Sequence, residues 1–268
     1  MDSLNQPYGL SQKQMEQFDR DGFIHLRDVL RPNLLEWYRR EISDLTIALS
    51  TQRLPISERG TYDQAFLQVM NLWTQSEKVR TFVFGARLAR IAANLLGVRG
   101  VRIYHDQSLY KEPGGGITPA HADQHYWPFS SDRAITAWIP LQSVPLEMGP
   151  LAFWKGSQGI AQGREWGIGD ESEREITRTM REKGYSMCEE PFDVGDVSFH
   201  LGWTFHRAGV NQSTQPRSVM TVIYMDIDMR LKSEWTAVER NDANQWCPGV
   251  QPGALADSEL NPVIWVGP

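Results

Sequence analysis

Apolar positions fall into two regimes along the 268 residues. Up to about residue 100 they recur every three or four positions, and beyond it they alternate. Ser11 with Gln14 forms a capping-box start, in which the serine oxygen takes an orphan amide and the glutamine reaches back. Met15 and Phe18 then share a helical face, and Asp21-Gly22 stops the run. Residues 22–26 (GFIHL) are short, apolar and extended in character. Pro32 suits an early helical position because its missing N–H is not needed there. It opens a second helix whose Leu34, Leu35, Tyr38, Ile42 and Leu45 form one stripe. Two more helices are predicted over 76–84 and 86–96, the latter ending at Gly97.

From residue 101 the period is two, and strands are predicted over 101–111, 134–142, 150–154, 185–190, 196–200, 203–209 and 218–227. Turns rich in glycine and proline separate them, such as Pro113-Gly114-Gly115-Gly116 and Met148-Gly149-Pro150. Residues 170–183 (DESEREITRTMREK) lead with acids and end with bases, as a solvated surface helix does. The tail from 240 onward is rich in Pro, Gly and Asn and reads as irregular. No repeat of fixed period is visible. Helices followed by many short strands predict an α+β chain with a predominantly β core, a sandwich or barrel. We read it as one domain over 1–268: helical to about 100, β core to about 230, then the tail.

Composition narrows the class without naming a function. With 41% hydrophobic and 22% charged residues, the chain is a globular protein and not a disordered or low-complexity one. No apolar run approaches the length of a spanning helix, and the opening MDSLNQPYGL has no basic stretch leading into an apolar one, so no secretory signal is expected. A net charge of −6 argues against nucleic acid or an anionic membrane as partner. Cys188 and Cys247 are too few for a disulfide framework and lack metal-ligand spacing. A soluble cytoplasmic protein acting on a small molecule is expected, with oligomeric state left open.

The distribution of the six histidines is the most informative chemical feature. His121 and Asp123 lie two residues apart on a predicted extended segment, so an imidazole and a carboxylate point to one side. Such a pair alone is more often a simple hydrogen bond. A third ligand would have to come from His200 or His206. Two histidines and one carboxylate on one face of an octahedron is the arrangement of non-haem Fe(II) oxygenases, with open positions for other ligands; zinc sites are usually tetrahedral and redox-silent. Arg217 opens an apolar strand eleven residues after His206. A guanidinium there can grip a carboxylate through two parallel hydrogen bonds, as an α-keto diacid bound at its other end to the metal would require. His25 and His105 read as packing or surface residues, His200 as a residue of the core or behind the ligands, and Asp226 and Asp228 as turn residues.

Several segments together resemble the phytanoyl-CoA dioxygenase family. They are Tyr110-Lys111-Glu112-Pro113; the run from Thr118 to Pro128 (TPAHADQHYWP); Ala137-Trp138-Ile139-Pro140-Leu141; Met148-Gly149-Pro150-Leu151; Gly195 to His200 (GDVSFH); His206 to Asn211 (HRAGVN); and Asn261-Pro262-Val263-Ile264-Trp265. With Asp21-Gly22-Phe23-Ile24 they span nearly the whole chain. The resemblance implies a double-stranded β-helix (jelly roll) and a dioxygenase that uses Fe(II), 2-oxoglutarate and dioxygen. It implies that His121, Asp123 and His206 bind iron, that Arg217 binds the distal carboxylate of 2-oxoglutarate, and that Gln107 and Trp138 line the cosubstrate pocket. Lys111 and Tyr126 are then expected on the substrate side.

Two positions depart from the family's common pattern. Ala208 lacks a hydroxyl that helps the arginine in some relatives, which predicts another helper for Arg217. Ala122 stands where glutamine is frequent, which predicts more room beside the metal. Asp123 is kept, unlike in halogenating relatives. The aromatic residues Tyr104, Tyr110, Tyr126, Trp127 and Phe129 around the motif point to an apolar or ring-containing substrate, and hydroxylation of an unactivated C–H bond is the expected outcome. A non-catalytic jelly-roll module holding a metal or small ligand, or a cupin-like isomerase or hydrolase, would be the alternatives.

Overall fold

The structure, a computed structural model, describes residues 4–267. Helix α1 (Gln12–Asp21) starts on the Ser11–Gln14 capping box and ends at Gly22, whose φ of 78° is left-handed. A Cβ there would meet the Gln158 side chain at 2.3 Å, so glycine is required twice over. Strand β1 (Phe23–Leu26) follows, then α2 (Pro32–Leu49) with Leu35, Tyr38 and Ile42 buried. Next come α3 (Thr61–Ala65), β2 (Leu67–Met70), α4 (Glu77–Val83) and α5 (Ala86–Leu96). The remaining elements are β3 (Gly100–Lys111), β4 (Thr118–His121), β5 (Ala134–Pro140), β6 (Leu151–Trp154), α6 (Asp170–Glu182), β7 (Met187–Glu189), β8 (Val197–Leu201), β9 (His206–Ala208), β10 (Arg217–Asp226), α7 (Ala237–Trp246) and β11 (Val263–Val266).

Two antiparallel sheets make the double-stranded β-helix. The larger runs β1-β8-β5-β10-β3-β11, with β2 on the other half of the edge of β3; the smaller runs β4-β9-β6-β7. Alternation sorts the side chains. On β10, Met220, Val222 and Tyr224 point outward into a core shared with α2 and α5, and on β5 Ile135, Ala137 and Ile139 do the same. Thr136, Trp138, Arg217 and Thr221 point inward and line a cavity. No helix among the described residues is long and apolar enough to cross a membrane.

A bulge in β3 aims part of the cavity wall. Ile223 of β10 is opposite His105, yet Tyr224 is opposite Ile103, so Tyr104 is the extra residue. Before it Val101 and Ile103 face the helices; after it His105, Gln107 and Leu109 face the cavity. One inserted residue exchanges the two faces of a strand. His105 is therefore a cavity residue and not mere packing.

Differences from the sequence pattern have local causes. The predicted strand 203–209 keeps only β9, because the Thr204 N–H turns back onto the Leu201 carbonyl at 2.9 Å. Strands β2 and β4 are four residues each, too short for a period to declare itself. The tail, predicted irregular from 240, contains most of α7 and all of β11. Helix α6 is charged on one face only: Ile176 and Met180 pack with Ala120, Ala122, Trp154 and Phe205 against the smaller sheet.

Candidate active site

His121 closes β4, and His206 opens β9 directly opposite it. Their rings stand 4.2 Å apart, centroid to centroid. His121 Nδ1 donates to the Pro119 carbonyl at 2.7 Å and His206 Nδ1 to the Thr204 carbonyl at 3.0 Å. With Nδ1 so engaged, Nε2 carries the free lone pair in each ring. Asp123 begins a tight turn just beyond β4, and its Oδ1 lies 3.5 Å from His121 Nε2 and 3.8 Å from His206 Nε2. One donor atom from each of the three lies within 4.8 Å of the others.

The other carboxylate oxygen is already engaged. Thr136 Oγ1 donates to Asp123 Oδ2 at 2.9 Å, and His200 Nε2 contacts the same oxygen at 3.1 Å. His200 therefore stands behind the carboxylate, while His206 faces the other carboxylate oxygen beside His121. Burial opposes the charge on Asp123, but the imidazoles of His206, His121 and His200 hold its carboxyl well below the ordinary range. Burial, with its two neighbouring imidazoles, holds His206 well below the usual histidine value. A deprotonated Asp123 and a neutral His206 are the states in which these two side chains can bind a divalent cation.

The triad opens on a cavity of about 270 Å³. Arg217 is 1% exposed, and among the described residues no carboxylate pairs with it. Its Nη1 donates to the Gly149 carbonyl, its Nε has no partner, and its Cζ lies 5.5 Å from the Trp138 ring centre. Burial brings its pKa down to about 9. Gly149 has a φ of 64°, and a Cβ there would meet the Gly209 carbonyl at 2.3 Å, so only glycine lets these two loops close beside the arginine. Trp138 Nε1 and Thr118 Oγ1 are also buried without partners, and both residues line the cavity. Thr118 is directly opposite Ala208. The hydroxyl missing at 208 is thus present on the neighbouring strand.

Gln107 and Tyr126 line the cavity as well. Gln107 is oriented by a chain that the sequence pattern did not suggest: Tyr62 donates to Gln68 at 3.1 Å, and Gln68 Nε2 donates to Gln107 Oε1 at 2.6 Å. Tyr126 accepts the Ile168 N–H at 2.7 Å. Lys111, expected on the substrate side, does not line the cavity. It is fully buried, and Nζ donates to the carbonyls of Gly116 and Gly209, the latter at 2.8 Å. Ala122 does not widen the metal site either: lying between two inward residues, it faces α6. Of the aromatic group, Tyr126 and Trp127 line the cavity, whereas Tyr104, Tyr110 and Phe129 do not. Residues not anticipated include Tyr62, Phe66, Gln68, Met70, Ile168, Asp242 and Trp246. For Asp242 and Trp246 the available signal was the Thr236–Glu239 capping box that starts α7.

The profile of the phytanoyl-CoA dioxygenase (PhyH) family matches residues 18–219. The chain belongs to this family. Among its relatives is a methylphosphonate hydroxylase of Gimesia maris, 24% identical over 248 residues that cover 88% of this chain and 89% of that one. Two solved structures share the architecture. One is the α-ketoglutarate-dependent carbocyclase SnoK of nogalamycin biosynthesis, with a TM-score of 0.79 and 23% identity over 97% of this chain and all of that one. The other is the epimerase SnoN in complex with Fe3+, α-ketoglutarate and nogalamycin RO, with a TM-score of 0.78 and 25% identity over 95% and 98%. This PhyH-family chain carries the family's likeness from its first helix through Arg217 and beyond.

Proposed function

We propose that this protein is a non-haem Fe(II)- and 2-oxoglutarate-dependent dioxygenase acting on a small molecule. One observation carries the reading: a two-histidine, one-carboxylate donor set shares a cavity with a buried arginine that has no acidic partner among the described residues. The residues fit the groups this chemistry needs. His121 Nε2, His206 Nε2 and Asp123 Oδ1 are the donor atoms left free, a mixed N/O set on one side that suits iron. The Arg217 Nε, Thr118 Oγ1 and Trp138 Nε1 atoms are buried donors without acceptors, and a distal carboxylate would satisfy the guanidinium and the threonine.

In this reading His121, Asp123 and His206 hold iron, and Arg217 with Thr118 holds the distal carboxylate of 2-oxoglutarate. Iron with 2-oxoglutarate supplies dioxygen activation, coupled to release of succinate and carbon dioxide. The protein does the rest. Thr136 and His200 fix the carboxylate ligand, Gln68 fixes Gln107, and the walls of Tyr126, Trp127 and Trp246 exclude water from the reacting carbon. Hydroxylation of a C–H bond is the outcome we assign. Two unpaired cysteines are compatible with the cytoplasm as its compartment.

The test uses protein loaded with Mn(II) in place of iron, titrated with 2-oxoglutarate by calorimetry, beside Fe(II)-loaded protein assayed for succinate release. Wild type should bind 2-oxoglutarate and slowly turn it over, and Arg217→Ala should lose that binding while keeping Mn(II). A wild-type protein that takes up the metal yet ignores 2-oxoglutarate would leave only a non-catalytic metal-binding module.

A further inference from the structure

The cavity has two unlike ends. Arg217 is opposite Lys111 at one end of the β3–β10 pair, and the Tyr104 bulge lies seven residues earlier on β3. Asp123 is fastened to Thr136, and Thr136 is level with Ile223 and His105. The triad therefore lies between the ends, nearer to the bulge. At the far end Tyr104 donates its hydroxyl to Asp242 Oδ2. Asp242 and Trp246 are one turn apart on α7, and both face the cavity. The Trp246 ring is 5.1 Å from that of His105.

Asp242 has no evident structural reason to be an acid. Among the described residues it is the one carboxylate lining the cavity apart from Asp123, and no lysine or arginine offsets it. Burial pushes its pKa up to about 7, against hydrogen bonds from Tyr104 and Trp246. Replacing it by a neutral residue of the same shape would relieve that cost. A carboxylate offers about four acceptor positions, and Tyr104 and Trp246 use two. His105 beside it is held neutral, its pKa pushed down to about 3 by burial, and its Nδ1 is buried without a partner. Around these two groups stand the rings of Tyr62, Tyr126, Trp127 and Trp246, and aromatic faces attract cations.

We propose that Asp242 is the substrate-specificity residue of this dioxygenase and that it binds the protonated amine of a ring-bearing substrate. The inference rests on the dioxygenase reading above and names the class of molecule that site accepts. The ammonium replaces the missing counter-charge of the carboxylate, His105 takes a second N–H, and the aromatic walls hold the ring system above the triad. The same chemistry argues against a phosphonate in this chain. Arg217 is the one Lys or Arg lining the cavity among the described residues; with 2-oxoglutarate bound there, a doubly charged anion would meet Asp242 instead of a cation.

Three indole probes of one skeleton separate charge from shape: tryptamine, tryptophol and indole-3-acetate. Each is titrated calorimetrically at pH 8 into protein carrying Mn(II) and 2-oxoglutarate, as wild type and as Asp242→Asn. Wild type should bind tryptamine at least tenfold more tightly than tryptophol, with indole-3-acetate weakest. D242N can still accept from Tyr104 and should lose the tryptamine preference, with tryptophol changed by less than threefold. Absence of tryptamine binding, equal affinity for tryptamine and tryptophol in wild type, or a preference that survives in D242N would each overturn the assignment. If D242N does not fold, the wild-type comparison decides by itself. Binding of 2-oxoglutarate in the same samples keeps the two readings apart: its loss in wild type sinks the dioxygenase, whereas intact 2-oxoglutarate binding without an amine preference sinks only this inference.

Discussion

His121 and His206 are cross-strand partners whose rings are held alike, each Nδ1 bonded to the carbonyl two residues before it. A short β-pair thus fixes the directions of both imidazoles through its own backbone. The third direction depends on side chains, because Asp123 sits in a turn and is steadied through Oδ2 by Thr136 and His200.

That difference makes the carboxylate the adjustable corner of the triad. Thr136→Val removes the hydroxyl at nearly constant volume and leaves all three ligands in place. Loss of such an outer partner typically costs about 10–100-fold in metal affinity. Mn(II) binding followed by electron paramagnetic resonance should weaken by that order in Thr136→Val, with an unchanged far-ultraviolet spectrum. Wild-type affinity in the variant would mean that Asp123 needs no such support.

Thr118 faces the cavity with a hydroxyl that has no partner, opposite the alanine that interrupts the family pattern. If it assists Arg217, Thr118→Val should weaken 2-oxoglutarate binding by about two- to thirteenfold, the worth of one hydrogen bond of roughly 0.5–1.5 kcal/mol. Restoring a hydroxyl on the other strand, as Thr118→Val with Ala208→Ser, should recover part of the loss. Calorimetry on the Mn(II)-loaded proteins reads both, and identical affinities for wild type and Thr118→Val would remove the threonine from the site.

Sequence pattern and structure agree where chemistry coincides with alternation. His121 and Asp123 were legible as neighbours on one side because extended backbone repeats every two residues, and Arg217 because it opens a long apolar strand. Lys111 was expected near substrate from the family resemblance alone, but the loops carrying Gly116 and Gly209 close over it. The inward turn of His105 required the Tyr104 bulge, which leaves no mark on composition. Asp242 and Trp246 were hidden because AVERNDANQW is mostly polar and lies in a stretch rich in turn residues. Gln68 was hidden because four residues of β2 cannot establish a period.

Helix α6 is tied to the strands of both His121 and His206 by one side chain. Glu173 accepts the Ala120 N–H of β4 at 2.7 Å and pairs with Arg207 of β9 at 2.9 Å. Glu173→Ala leaves a largely buried amide without an acceptor, a cost of about 1–3 kcal/mol. Thermal unfolding should begin several degrees lower, and Mn(II) affinity should fall as well, because His121 and His206 follow those two residues' strands. A stability loss with metal affinity untouched would show that α6 supports the fold and not the triad.

Lys111 gives the chain a pH dependence of known sign. Burial, reinforced by the neighbouring Arg217, brings its pKa down to about 6, whereas an exposed lysine titrates near 10.4. Between those values the unfolded chain holds a proton that the folded chain has lost, so this residue's contribution to stability rises with pH. Comparison with Lys111→Met isolates it, since the other titrating groups are common to both proteins. The wild-type stability relative to the variant should increase from about pH 6 to about pH 10, with a slope of up to roughly 1.4 kcal/mol per pH unit. Below about pH 6 the difference should level off, both states then being protonated. Urea unfolding of the metal-free proteins across that range measures it. Parallel stability curves would mean that the buried lysine keeps its proton on folding, held by the two glycine carbonyls.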